Sequence, residues 1–241
     1  MSNVSELPKG AVRQGGKEEL RASILKTYLL RIRSEKGDRT VRTILSNAGI
    51  DPSMVDNETG WVSTQAARRA LRGICEALGT VDALRRRGEW VTNAEALGSQ
   101  VRMLRTAEHP VDAYQYLADN AKEVTRVGSW ELEAADKPAP KPPSEGEGAA
   151  PPEPDRKLTR EQRASIHSVR LVYRHRSDGY DDGDKPDPQT EALFCAAREG
   201  ELTSIPRIWG LEDARVTHEK CIAKGDDCCS YLVEWELPAT K

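Results

Sequence analysis

The chain has 241 residues, 36 Lys and Arg against 39 Asp and Glu, a net charge of −3 and a hydrophobic share of 37%. That length suits one domain of ordinary size with extensions, and the near-neutral balance supplies no field to draw in nucleic acid or an anionic lipid surface. No stretch approaches the ~18 apolar residues of a membrane span, residues 1–10 (MSNVSELPKG) lack a signal peptide's apolar core, and five cysteines are an odd number for a disulfide framework, so the expectation is a cytoplasmic chain with free thiols or a metal.

Residues 1–20, rich in Gly, Lys, Glu and Gln without a periodic apolar set, read as a disordered lead-in. From Arg21 the pattern changes. Ile24, Leu25, Tyr28, Leu29 and Ile32 recur at three- and four-residue spacing and predict an amphipathic helix ending before Gly37. A second stripe (Val41, Ile44, Leu45, Ala48) stops at Gly49, and a third (Ala67, Ala70, Leu71, Ile74, Leu78) stops at Gly79, both glycines standing where a left-handed C-cap is usual. Shorter helices are expected over 81–90, 94–106 and 111–120, with Pro110 suited to the first helical position.

Near Val124 the grammar turns to β. Val127 with residues 129–132, and later Val169, Leu171, Val172 and Tyr173, predict two strands. Between them residues 136–157 hold seven of the fourteen prolines, a composition that cannot bury enough apolar surface to offset its ordering entropy. We read that segment as a disordered loop inserted into one domain spanning 21–236, because long surface insertions are entropically tolerable, with 237–241 as a tail. A short helix through Leu193 and Cys195 follows, then strands over 215–223 and 228–236, the last alternating Cys229, Tyr231, Val233 and Trp235 onto one face. Helices first and an antiparallel sheet later make the fold class α+β.

Cys195, His218, Cys221 and Cys229 offer three thiolates and an imidazole, a set that suits a closed tetrahedral Zn²⁺ site. Gly225 and Asp226 mark a turn that would bring Cys221 and Cys229 to the same end of a hairpin. His218 and Cys221 lie three apart, so on an undistorted strand they would face opposite sides, and a bulge near Glu219 is required. Cys228 points away from the Cys229 face and is set aside. The alternative is that these cysteines are buried small hydrophobes and His218 a surface residue.

The segment 221–235 (CIAKGDDCCSYLVEW) resembles the closing motif of the 4-vinyl-reductase-type domain, and GSWELE at 128–133 with the text from Leu193 to Cys221 is similar to sensory regions of bacterial histidine kinases and cyclases. In aromatic-responsive activators the family holds zinc with a Cys and then a Glu-x2-Cys-x7-Cys run. Here Cys195 and His218-x2-Cys221-x7-Cys229 occupy those places, so the resemblance implies Cys195, Cys221 and Cys229 as ligands, with His218 where the family has Glu. It further implies a fold related to haem-NO-binding and vesicle-tethering domains, enclosing a pocket for a small apolar molecule. Occupancy would be relayed to a kinase, cyclase or activator in trans or missing from this chain, and a homodimer is expected. The haem-binding relatives use an axial histidine with a Tyr-x-Ser-x-Arg element that this sequence lacks, so the expected cofactor is structural zinc and no haem.

Other motifs are read plainly. The acidic loop 178–184 fails the calcium-loop ligand order and is read as a solvated turn. Arg85, Arg86 and Arg87 are read as a solvated helix end complementing the helix dipole. His109, His167 and His175 assemble no catalytic set, Cys75 sits on an apolar helix face, and one or two of Trp61, Trp90, Trp130, Trp209 and Trp235 are allowed in a ligand pocket. No G-x-G-x-x-G fingerprint follows a strand, so a reductase is the lesser alternative to a sensor. An assembly module without ligand is the other.

Overall fold

The computed structural model describes residues 19–56, 60–87, 99–135, 167–176 and 187–236. The lead-in over 1–18, Trp90, the segment 136–157, the acidic loop 178–184 and the tail 237–241 lie outside the described residues. The first stripe builds a 3-10 turn over Ala22–Leu25 and then α1 (Lys26–Lys36), which buries Tyr28, Leu29 and Ile32. α2 (Asp38–Ala48) ends at Gly49 with φ 72°, and α4 (Thr64–Leu78) ends at Gly79 with φ 81°. At both ends the left-handed turn lets the chain leave the helix without the Cβ penalty any other residue would incur. α3 (Pro52–Asp56) and a two-residue β1–β2 pair (Leu20–Arg21 with Trp61–Val62) sit between them, and α4 starts at Ser63, whose side chain accepts from the Ala66 amide. α5 (Asp82–Arg85), α6 (Ser99–Leu104) and α7 (Pro110–Asp119) complete the helical half, with Pro110 inside the first turn of α7 as its fixed φ favours.

The second half is a four-stranded antiparallel sheet in the order β3-β4-β6-β5, with β3 Gly128–Ala134, β4 Ser168–His175, β5 Arg215–Lys220 and β6 Cys229–Glu234. β3 and β4 are hydrogen-bonded neighbours, so residues 136–166 connect adjacent antiparallel strands. One long helix, α8 (Pro188–Ser204), packs across the sheet and touches α5 and α4 on its other side. It is 17 residues long, where the sequence suggested a short helix. Asp187 caps it by accepting from the Thr190 amide, and Pro188 fills its first position.

Two apolar clusters form the interior. One joins α1, α2 and α4 to Leu193, Phe194 and Ala196, and the other joins α7, the sheet and Cys195. α8 is therefore shared between both. Its approach to α5 depends on Gly200, since a Cβ there would overlap the Leu84 carbonyl oxygen. The α+β expectation holds, and the helical half lies against the antiparallel sheet.

Candidate metal centre

Three elements deliver the four candidate ligands. Cys195 projects from the middle of α8, His218 from β5, Cys221 from the residue after β5, and Cys229 from the first position of β6. Their ligand atoms all lie within 4.8 Å of one another, and the three cysteines are buried while His218 is half-buried. The Cys195 sulfur stands 3.7 Å from that of Cys221 and 3.6 Å from that of Cys229. Two thiolates on a tetrahedral zinc with Zn–S near 2.3 Å would be about 3.8 Å apart, so the sulfurs already sit close to a ligand polyhedron.

The required bulge is present. β5 and β6 pair His218 with Tyr231 and Lys220 with Ser230, leaving Glu219 as an extra residue in β5. Glu219 turns to the opposite face, where its carboxylate takes Arg170 Nε at 2.8 Å and the Ser230 hydroxyl at 3.0 Å. That inversion puts His218 and Cys221 on one side. A 3-10 turn over Ile222–Lys224 closes at Gly225 (φ 99°), and the Asp226 carboxylate accepts from the Cys221 amide at 2.7 Å. Cys228 faces away, as expected, with burial raising its thiol to about 11 and Asp227 adding to the shift.

The surroundings orient these groups. His218 Nδ1 lies 2.9 Å from Glu199 Oε1, while Nε2 is buried with no hydrogen-bond partner. A carboxylate on one ring nitrogen and a bare second nitrogen aimed at three sulfurs is the arrangement a metal-bound imidazole needs. The ring also stacks on Tyr231 at 4.3 Å between centroids. Arg198 lies 3.9 Å from the Cys195 sulfur and 4.0 Å from the Cys229 sulfur, and it is held by Glu191 at 2.6 Å and by the face of Tyr173 at 3.7 Å. Three thiolates on a divalent cation would leave one negative charge, which this guanidinium would offset.

Thiol acidities follow that geometry. A hydrogen bond from Cys195 pulls the Cys229 thiol well below its ordinary value against the effect of burial, with His218 and Arg198 acting in the same direction. Cys195, as the donor, is pushed up. Burial would lower His218, but its contacts with Cys229 and Glu199 carry it up to about 9. A thiolate is thus favoured in this pocket even before any cation is considered.

Sequence reasoning missed Arg198 and Glu199. Both stand three and four residues after Cys195 on the same helix face, which is the signal that could have found them. It also misplaced Arg87, which is buried at 9% exposure rather than solvated. Its neighbour Arg85 does reach the surface, bonding Glu199 and Asp82. Of the other histidines, His109 caps α7, the His167 carbonyl accepts from Trp235, and His175 Nε2 lies 3.4 Å from Glu191. Trp130 lines a cavity between the helical half and the sheet.

No family model and no curated protein matches the chain. Solved structures do. An H-NOX protein from S. oneidensis in an Fe(II)NO ligation state shares 11% identity at a TM-score of 0.55, covering 90% of this chain and all of that one. An oxygen-binding H-NOX domain related to soluble guanylate cyclases shares 14% identity at a TM-score of 0.51, covering 92% and 98%. A third, from work on haem distortion in the H-NOX family, shares 14% at a TM-score of 0.50 with the same coverage. At such identities the likeness establishes the fold, which is that of H-NOX domains.

This corrects one expectation. Haem was set aside because the Tyr-x-Ser-x-Arg element is missing, yet the fold is shared with haem proteins, so a missing motif gives no ground for the exclusion. The fit at the residues is a separate matter. The cavity between helices and sheet holds about 80 Å³, and its described lining includes no His, Cys or Met to serve as an axial ligand. As described, that cavity does not fit the macrocycle, and no step below runs through haem.

Proposed function

We propose that the chain is a ligand-sensing, signal-input domain of the 4-vinyl-reductase type, with Cys195, Cys221, Cys229 and His218 Nε2 holding a structural Zn²⁺. The convergence of these four side chains, with His218 Nε2 buried and unpartnered beside three sulfurs, is the observation that carries this reading. Zn²⁺ in such a closed set supplies folding free energy and no open position for chemistry. The protein's own residues do the rest. Cys195 ties α8 to the β5–β6 hairpin, Glu199 fixes the imidazole tautomer, and Arg198 balances the charge.

The sensing part of the reading rests on the same helix. Phe194, Ala197, Arg198 and Glu201 of α8 line the 80 Å³ cavity, one to three residues from ligands or their supports. A small, largely apolar molecule there would press on the element that the metal centre anchors, and a population shift of α8 is the means of relay to an output module. The likeness to H-NOX domains, one of them related to soluble guanylate cyclases, supports a sensor over an enzyme. A cavity also favours a ligand over a purely structural assembly module. The reading includes one domain over 21–236, a homodimer, and a cytoplasmic setting; among the described residues no helix is long and apolar enough to cross a membrane.

Elemental analysis of purified protein, followed by chelation and thermal unfolding, tests it. One zinc per chain and a lowered melting temperature after chelation are expected; no zinc and an unchanged transition would overturn it.

A further inference from the structure

Arg87 ends the run of three arginines after α5, yet it is the one drawn inside, with its side chain 10% exposed. Its Nε is fully buried and has no hydrogen-bond partner. Leaving a guanidinium N–H unmatched in the interior costs free energy, and such a group is ordinarily satisfied by an acceptor. The nearest charge is Glu201, whose carboxylate stands 3.8 Å from Nη1, at the limit of an ion pair, and is itself 26% exposed. Glu201 answers one end of the fork and the guanidinium also lies over the Tyr28 ring at 5.8 Å, which leaves Nε as the donor without a hydrogen bond.

Arg87 lines the cavity between helices and sheet together with apolar and aromatic side chains, among them Ile24, Leu71, Trp130 and Phe194. The other polar groups on that wall are already engaged. Tyr28 donates to the Leu84 carbonyl at 3.0 Å, and Arg198 is held by Glu191 and lies flat on Tyr173. A largely buried guanidinium on the wall of an apolar cavity is recognition chemistry for a small anion with an apolar body. The size narrows the class. An engineered cavity of about 150 Å³ takes benzene, and this one is about half as large, so the class is limited to small molecules.

We propose that the cavity binds a short-chain carboxylate, its acid group on the Arg87 guanidinium and its alkyl chain against Trp130 and Phe194. This rests on the ligand-sensing reading and deepens it by naming the chemical class. It also assigns Glu201 the part of a competing carboxylate, which holds Arg87 loosely while the cavity is empty.

Isothermal titration with propionate, and with propionamide as the neutral isostere, tests the proposal on the full chain. Propionate should bind at least about tenfold more tightly than propionamide, a difference of about 1.4 kcal/mol, since a hydrogen bond to a charged group is stronger than one to a neutral acceptor. Arg87→Gln should erase that preference. Glu201→Gln, which removes the competitor and keeps Arg87, should tighten propionate, and it serves if the Arg87 variant does not fold. Equal binding of acid and amide to the wild type, or no effect of Glu201→Gln on propionate, would overturn the acid assignment while the ligand-sensing reading stood. No binding of either compound would overturn the proposal and count against that reading as well.

Discussion

His218 has two ring nitrogens in contrasting surroundings, one on a carboxylate and one facing three sulfurs. That contrast separates a metal ligand from a buried histidine satisfied at both ends. Glu199→Gln should therefore lower zinc affinity about 10–100-fold while leaving the fold intact, measured by competition with a chromogenic chelator. Cys229→Ser should abolish the bound zinc and cost roughly 4 kcal/mol or more of unfolding free energy, since loss of a metal is among the few single changes of that size. Beside the centre, Glu191 is a buried carboxylate. Burial alone would raise its pKa, but Arg198 and His175 pull it down to about 2 from an ordinary 4.5. A depressed folded-state value means stability that is complete above the unfolded pKa and lost as pH falls through the folded one. Denaturant midpoints should thus decline between about pH 4.5 and 2, and Glu191→Gln should flatten that decline.

α8 links the two cores, the metal centre and the cavity. Its closest approach is at Gly200 under the Leu84 carbonyl, so Gly200→Ala should force α5 away and destabilise the fold by about 1–3 kcal/mol, read by chemical unfolding. The sequence displayed this element only in part. Cys195 and Leu193 marked a helix, but the 17-residue length was hidden because a helix buried on two sides has no clean polar face and so no clear stripe. α2 and α4, with one apolar face each and a capping glycine, were legible to the residue at their C-terminal ends, while their first turns lay ahead of the apolar stripes that begin at Val41 and Ala67. The bulge at Glu219 was legible too, because two ligands three apart on a strand demand an inversion. Arg87 was not, since nothing in three consecutive arginines says which one turns inward; only the packing of α5 against α8 and the sheet decides it. Arg198 and Glu199 lay in view at helical spacing from Cys195 and needed the cluster to give them meaning.

The molecule places a helical half against a four-stranded antiparallel sheet with the H-NOX arrangement, the fold that the resemblance over 128–133 and 193–235 implies, at 11–14% identity to the solved structures. The pairing of β3 with β4 sets the terminals of residues 136–166 side by side. If 21–236 is one domain, replacing residues 137–165 by a short hairpin turn should leave the unfolding transition single and its midpoint within about 1 kcal/mol of the original. Two separate transitions in the parent chain would instead mark a domain boundary there. Native mass spectrometry tests the proposed ion at the centre in one spectrum. The predicted result is one zinc per chain, lost in Cys229→Ser and retained in Cys228→Ser. A metal-free parent chain, or zinc retained equally by both variants, would contradict it.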